Sequence, residues 1–142
     1  MSPENEIHNA SKQFYLALNH LLNGDIGPLE DIWSHSAVIT TLQPSGGRQV
    51  GWDEVRILWE QIAEMVSVGR VKLRDQLIQV AGEMAYELGT QQFSMTLAGH
   101  SILGECRVTN IYRLEVDRWK VVHHHTDLSR PMVDVLSLLE LS

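Results

Sequence analysis

The sequence predicts an α+β fold in which three N-terminal helices cover one face of a strongly bent, mostly antiparallel sheet. Apolar residues recur at helical spacing before Gly69 and at a spacing of two after it. Short turns separate the later strands, and such links require antiparallel neighbours because a parallel return needs a crossover of a dozen or more residues. Helices followed by a long meander are typical of an α+β arrangement.

Three helices are predicted from the first half of the chain. The first is capped by Ser2 and stops at Asn23-Gly24. A short second helix is predicted within residues 25–33, where Pro28 suits the first turn. The third, from Trp52 to about Val68, is the clearest, because one apolar stripe runs along it with most charged residues off the stripe.

The strands are predicted from β-branched content and alternation. The segment AVITTL predicts a first strand, and QPSGGRQVG predicts a turn or loop. Four more strands are predicted near residues 71–80, 84–95, 102–116 and 119–128. After Pro131, the apolar residues Met132 to Leu141 predict either a last amphipathic helix or a tail that docks on another subunit.

Composition restricts the class of protein. A chain of 142 residues is long enough for one core, so a single domain over residues 1–142 is expected. The net charge of −7 disfavours a nucleic-acid partner. One cysteine, Cys106, excludes an internal disulfide, and we read it as structural. The start has no secretory pattern and no apolar run approaches the roughly 20 residues of a membrane span, so we expect a cytoplasmic protein.

Three segments together resemble a known family. They are FYLALNHLLNGDIGPLEDIWSHSAVIT, GGRQVGWDEVRILWEQI and RVTNIYRLEVDRWKVVHHHTDLS. In this order they resemble the SnoaL-like members of the nuclear transport factor two superfamily. The last segment is similar in particular to the association domain of calcium/calmodulin-dependent protein kinase II. The resemblance implies a cone-shaped α+β barrel whose concave sheet face meets the helices and lines a cavity.

The histidine triplet lies on the last predicted strand. Alternate side chains of a strand share a face, so His123 and His125 share the face of Trp119 and Val121. That face is expected to turn inward. The sequence therefore predicts that His123 and His125 line the cavity, whereas His124 lies on the outer face or at a subunit contact.

Three roles remain open for this pair: metal ligands, hydrogen-bonding pocket residues or an acid–base group. Asp127, on the same face, is about 13 Å from His123 at 3.3 Å per residue, too far to share an ion. His35 and Glu87 could complete a metal site only if the fold brings them to the pair, because no local spacing places them there. We therefore predict no metal and no cofactor. A buried histidine suits proton transfer because small shifts bring its pKa near neutrality.

The isomerase branch of the superfamily offers a check on this chemistry. In ketosteroid isomerase the proton-transferring aspartate directly precedes a Pro-x-Gly segment. Here Gln43 precedes Pro44, and an amide is not a general base at neutral pH. The resemblance therefore does not extend to the steroid-isomerase mechanism.

Four further residues are candidates for the pocket. Arg107 shares one face of its predicted strand with apolar residues. It could therefore place a positive charge in the cavity, where Glu87 would be its ion-pair partner. Tyr86 and Trp59 could form aromatic walls. Arg107 and Glu87 could equally lie on a solvated outer face, and Trp59 could equally be a core residue.

Two functions follow as hypotheses. The first is a small-molecule pocket protein that binds a modest organic ligand, carboxylated if Arg107 faces it, with a cofactor-free dehydration, isomerisation or cyclisation as its reaction. The second is a non-catalytic association or regulatory module that oligomerises through the sheet. A homodimer is expected in either case, because Val122 and His124 would lie on the outer face beside the apolar tail.

Overall fold

The computed structural model describes residues 2–141, except for the side chains of residues 140 and 141 at the end of the apolar tail. The elements in chain order are α1 Pro3–Leu21, α2 Gly27–Ile32, β1 Thr40–Gln43, β2 Gly46–Val50, α3 Trp52–Met65, β3 Val66–Ala81, β4 Met84–Leu97, β5 His100–Glu115, β6 Arg118–Thr126 and α4 Arg130–Leu141.

One strongly curved sheet, open at its edges, contains all six strands. Its order is β2-β1-β6-β5-β4-β3. Strands β3 to β6 form the predicted antiparallel meander, and β1 pairs with β6 in parallel. The apolar core lies between α1, α2 and α3 and the concave face of the sheet. The predicted α+β fold is confirmed.

The ends of α1 follow the predicted signals. The side chain of Ser2 accepts a hydrogen bond from the backbone N–H of Asn5, which satisfies one of the free donors of the first turn. The helix ends at Leu21, just before Asn23-Gly24. Gly24 has a φ of +91°, a conformation that suits glycine after a helix.

Strand ends shift by a few residues from the prediction, and two differences have a clear physical cause. Residues 46–50 form strand β2 of a hairpin with β1 rather than a loop, because Gly46 and Gly47, both with positive φ, turn the chain tightly enough for pairing. Helix α3 ends at Met65, since Val66 already pairs with Leu97 in the sheet. Sheet pairing thus overrides the helical pattern in the last turn.

The curvature of the sheet coincides with irregularities in strand pairing. In β3, Arg74 pairs with Thr90 and Leu77 pairs with Leu88, so two residues of β3 oppose Gly89 alone. A Cβ on Gly89 would lie 2.5 Å from Leu73 Cδ1 and 2.9 Å from the Arg74 carbonyl oxygen. This bulge bends the long strand where only glycine fits on its neighbour.

Helix α4 packs against its own chain. Met132 and Val135 are buried in the core, and the helix contacts β5. Of the two alternatives for the C-terminal segment, the structure therefore shows the amphipathic helix. Within residues 2–141, no helix combines the length and apolar character needed to span a membrane.

Candidate functional site

A bulge in β6 decides which histidines face the interior. Val121 pairs with Tyr112 and His123 pairs with the preceding residue of β5, Ile111, so Val122 is an extra residue in the ladder. Trp119 and Val121 face inward as predicted, but the bulge reverses the alternation beyond them. The predicted orientation of the triplet is therefore wrong: His124 faces the interior, while His123 and His125 lie toward the outer face.

His124 is held in the interior by one polar and two aromatic contacts. Only 2% of its surface is exposed. Its Nδ1 lies 2.6 Å from Asn110 Oδ1. The ring of Phe14 meets the imidazole edge-on at 5.3 Å between centroids, and Trp59 lies at 6.1 Å. These contacts fix the ring in one orientation.

The hydrogen-bond pattern assigns the protons of His124. The side-chain nitrogen of Asn110 donates to the Tyr15 hydroxyl at 3.1 Å and to Glu87 Oε1 at 3.0 Å, so its oxygen is the acceptor toward His124. The proton of the imidazole therefore resides on Nδ1, and Nε2 keeps its lone pair. Burial, together with the nearby His123 and His125, lowers the pKa of His124 to about 3, so the ring is neutral at pH 7.

Glu87 is the most unusual group of the interior, because it is a carboxyl with 0% exposure. Gln76 Nε2 donates to it at 2.6 Å, Asn110 Nδ2 at 3.0 Å and the Tyr112 hydroxyl at 2.9 Å. Three donors around two oxygens match an ionised, acceptor-only carboxylate. Asn110 thus joins the carboxylate of Glu87 to the imidazole of His124.

Two tyrosines complete this arrangement. The Tyr15 hydroxyl donates to Gln91 Oε1 at 2.8 Å. Burial and the neighbouring Glu87 raise the pKa of both Tyr15 and Tyr112 far above neutrality, so both hydroxyls stay protonated and remain donors. We call Tyr15, Glu87, Asn110, Tyr112 and His124 the buried network.

A cavity of about 60 Å³ lies beside the buried network, between the helices and the sheet. A single water needs roughly 10–15 Å³ by this measure, so the space admits several waters or a small organic molecule. The cavity wall is apolar except for Gln43, Gln91 and His124; the other lining residues are Leu18, Leu21, Leu22, Pro44, Trp59, Ile62, Val71, Phe93, Met95 and Met132.

Two of the side chains that line the cavity contain a buried nitrogen atom without a partner. Gln43 Nε2 and Trp59 Nε1, like Trp33 Nε1 elsewhere in the core, make no hydrogen bond within the part of the chain that the structure describes. The side chains of Gln43 and Trp59 are only 3% exposed. More than nine in ten buried polar groups in proteins are satisfied, so unsatisfied donors in this interior are unusual.

A sequence profile of one protein family matches most of the chain. Residues 7–132 match the family profile described as the SnoaL-like domain. The chain belongs to the SnoaL-like family. No functionally curated protein matches this SnoaL-like chain.

Solved structures share its cone-shaped fold at low identity. A proposed dehydratase of the NTF2-like family from Streptomyces avermitilis is 21% identical, with a TM-score of 0.79, over 90% of this chain and 99% of that one. An NTF2-like superfamily protein from Salmonella enterica is 16% identical, with a TM-score of 0.76, over 89% and 91%. The CaMKII hub of S. rosetta is 14% identical, with a TM-score of 0.70, over 91% and 98%.

Among the residues predicted to form the pocket of this SnoaL-like domain, Trp59 and Glu87 lie in the interior and Arg107 and Tyr86 do not. Arg107 is exposed and its Nε donates to Asp127 Oδ2 at 2.7 Å, so it is not the partner of Glu87. Tyr86 is 43% exposed. The interior positions of β4 are odd-numbered and those of β5 even-numbered in this region, which turns both side chains outward.

The two flanking histidines have surroundings of their own. His123 is half-buried, and its Nδ1 lies 2.6 Å from the Thr40 hydroxyl of the neighbouring strand. His125 is exposed, with its ring 6.0 Å from that of His123. Among the side chains of residues 2–139, no three histidine, cysteine or acidic groups come together in a way that could hold a metal ion.

Sequence reasoning missed most of the polar interior of this SnoaL-like domain. Tyr15, Asn110 and Tyr112 sit among apolar neighbours and carry no motif, and Gln43 stands out in the sequence only as a departure from the isomerase pattern. One signal was present: Asn110 and Tyr112 share an alternate-residue face with Cys106 and Val108. An amide on such a face requires buried partners.

Proposed function

We propose that this SnoaL-like protein binds a small organic molecule in the 60 Å³ cavity and that His124 is its principal polar contact. The observation that supports this is the fixed, neutral imidazole on the cavity wall, with Nδ1 bonded to Asn110 and Nε2 free to accept. An apolar cavity with a few fixed polar groups is the usual form of a ligand site.

The same cavity would carry a cofactor-free proton transfer only for an acidic C–H group next to a carbonyl, because a pKa of about 3 makes the His124 imidazole a weak base at pH 7. In a dehydration, Nε2 would take that proton, the C=C bond would form as the C–O bond breaks, and the imidazolium would return the proton to the departing hydroxyl, which leaves as water. Asn110 would hold the ring during both transfers. This proposal replaces His123 and His125 with His124 as the acid–base group.

A neutral ligand is better supported than the carboxylated one expected from the sequence. That expectation depended on Arg107, which lies outside the cavity in an ion pair with Asp127. The residues that line the cavity include no lysine or arginine. Burial of an unpaired carboxylate there would be strongly unfavourable.

Methionine methyl groups can test whether the cavity binds ligands. Met95 and Met132 line the cavity, and Met84 is exposed on the outer sheet face. With ¹³C-methyl methionine labels, a screen of small neutral aldehydes, ketones and alcohols should shift Met95 and Met132 and leave Met84 unmoved. Ligands that shift only Met84, or none that shifts Met95, would contradict the proposal.

The role of His124 is tested by two matched variants. His124→Gln replaces Nε2 with an amide oxygen at a different position, while His125→Gln changes the adjacent exposed position. Displacement of the acceptor should weaken binding of hydroxyl-bearing ligands by about tenfold, and His125→Gln should not affect it. Proton transfer is read from deuterium exchange into a bound ketone in D₂O; equal exchange by both variants would remove His124 from the reaction.

A second candidate function, an association module, is favoured by the outer sheet face. Leu77, Tyr86, Leu88 and Leu103 are exposed there. Such a face is more stable when covered by a second copy of the chain. Self-association is compatible with a working cavity, because the two surfaces lie on opposite sides of the sheet.

A further inference from the structure

Glu87 is not among the residues that line the cavity, yet hydrogen bonds join it to one that does. It has 0% exposure, and its carboxylate is held by the neutral donors of Gln76, Asn110 and Tyr112. A carboxylate is unfavourable in an interior, and neutral donors compensate for only part of its lost hydration. The effect of this carboxylate on its neighbours is therefore of interest.

The Glu87 carboxylate allows only one orientation of the Asn110 amide. An ionised carboxylate accepts hydrogen bonds but cannot donate them, and Asn110 Nδ2 donates to Glu87 Oε1 at 3.0 Å. Turning the amide by a half rotation would bring its oxygen against the carboxylate oxygen, so two acceptors would face each other. Tyr15 supports the same orientation, because its proton goes to Gln91 Oε1 and its oxygen accepts from Asn110 at 3.1 Å.

The orientation of this amide in turn fixes the tautomer of His124. Asn110 Oδ1 lies 2.6 Å from His124 Nδ1, so the imidazole proton resides on Nδ1 and Nε2 keeps its lone pair. With the amide turned round, Asn110 Nδ2 would face Nδ1 and the proton would move to Nε2. His124 would then be a donor at Nε2 instead of an acceptor.

We propose that Glu87 is a positioning residue that sets the specificity of the cavity: through Asn110, it keeps His124 in the tautomer whose Nε2 accepts a hydrogen bond from the ligand. Where it concerns ligands, this inference rests on the proposed ligand-binding function, but the tautomer can be measured without a ligand. A site ordered in this way favours a molecule with a donor, such as an alcohol, over a molecule of the same size that only accepts, such as a ketone.

The tautomer is read from the imidazole signals of ¹⁵N-histidine-labelled protein at pH 7, because protonated and unprotonated ring nitrogens have widely separated ¹⁵N shifts. The chain has seven histidines, so His124→Gln assigns the signals of interest. We expect a protonated Nδ1 and an unprotonated Nε2 in the unmodified protein. A proton on Nε2 would overturn the proposal at once.

Three variants separate the role of Glu87 from general support of the fold. Glu87→Met removes the acceptor at similar size, so both tautomers should be populated, with their ratio lowered by at least about tenfold. Glu87→Gln should keep the tautomer, because one oxygen remains for Asn110 and the exposed Gln76 can turn its own amide to accept. Tyr112→Phe should keep it as well, because it removes a donor to Glu87 and leaves the contact with Asn110 intact.

Glu87→Asp is used if Glu87→Met does not fold. It keeps the charge and withdraws the oxygens from Asn110 by one methylene, so it should lower the tautomer ratio in the same direction. The ligand pair is 2-butanol and 2-butanone, which share one carbon skeleton. The unmodified protein should bind 2-butanol about threefold to tenfold more tightly than 2-butanone, and Glu87→Met should abolish this preference.

Each outcome has a defined meaning. An unchanged tautomer when the Glu87 acceptor is removed or withdrawn would overturn the proposal and assign the amide orientation to Tyr15. Equal tautomer changes in Glu87→Met and Tyr112→Phe would overturn it too, because any break in the network would then suffice. A changed tautomer with an unchanged ligand preference would remove Glu87 from specificity. If neither compound shifts Met95 or Met132, the ligand-binding proposal fails, while the tautomer still decides whether Glu87 orders His124.

Discussion

The low pKa of His124 couples the stability of the fold to pH. In the unfolded chain the imidazole of His124 would have its ordinary pKa of 6.5, whereas in the folded chain its pKa is lowered to about 3. Between these values the unfolded state binds more protons, so the free energy of unfolding decreases as the pH falls through this window. The contribution of His124 is fully present above about pH 6.5.

The magnitude follows from the two pKa values. At 1.36 kcal/mol per pKa unit, the full difference corresponds to about 5 kcal/mol, and about 3 kcal/mol of it is lost between pH 7 and pH 4. This is a large fraction of the stability of an ordinary domain. The physical cause is burial of the ring among Phe14, Trp59 and Asn110, which cannot solvate an imidazolium.

Urea unfolding monitored by tryptophan fluorescence measures this contribution at pH 7 and pH 4. His124→Gln removes the titrating group, so this variant should lose about 3 kcal/mol less stability than the unmodified protein on acidification. His125→Gln, next to it but exposed, should retain most of the dependence. Carboxylates that titrate in the same range affect all three proteins alike. Equal losses in the protein and in His124→Gln would refute the burial argument.

Two further predictions concern the buried network and the outer face. Glu87→Ala removes an acceptor from the buried donors of Asn110 and Tyr112 and from the exposed Gln76, so urea unfolding should show a loss of about 2 kcal/mol or more, and Glu87→Gln, which keeps one oxygen, should lose less. If Ala and Gln are equivalent, the donors do not depend on this carboxylate. We also expect a homodimer through the outer face, which Leu88→Glu should convert to a monomer in light scattering. An unmodified protein that is already monomeric at micromolar concentration would exclude this interface.

The architecture could be predicted from local patterns. Helical spacing, the Ser2 cap and the Asn23-Gly24 stop act within one turn of chain, and alternation after Gly69 requires only a pleated strand with one buried face. Short turns then force antiparallel pairing. Family resemblance and periodicity therefore agreed, and the structure confirms both.

The identity of the inward histidine could not be predicted in the same way. Alternation along a strand predicts which face a side chain occupies only if every residue pairs with one residue of the neighbouring strand. Val122 has no partner on β5. Nothing in the letters WKVVHHHT marks the bulge, because its position depends on how β6 fits the curvature of β5. A single inserted residue exchanged the faces of all three histidines.

The sequence by itself determined the helices, the meander and the supply of polar residues, because these depend on spacing along the chain. Only the tertiary structure decided which polar residues meet, because Tyr15, Glu87, Asn110 and His124 come from four elements and contact one another across long separations. The unsatisfied buried donors of Gln43 and Trp59 are likewise a property of packing. Whether a buried N–H has a partner depends on every element around it, and no local pattern records that.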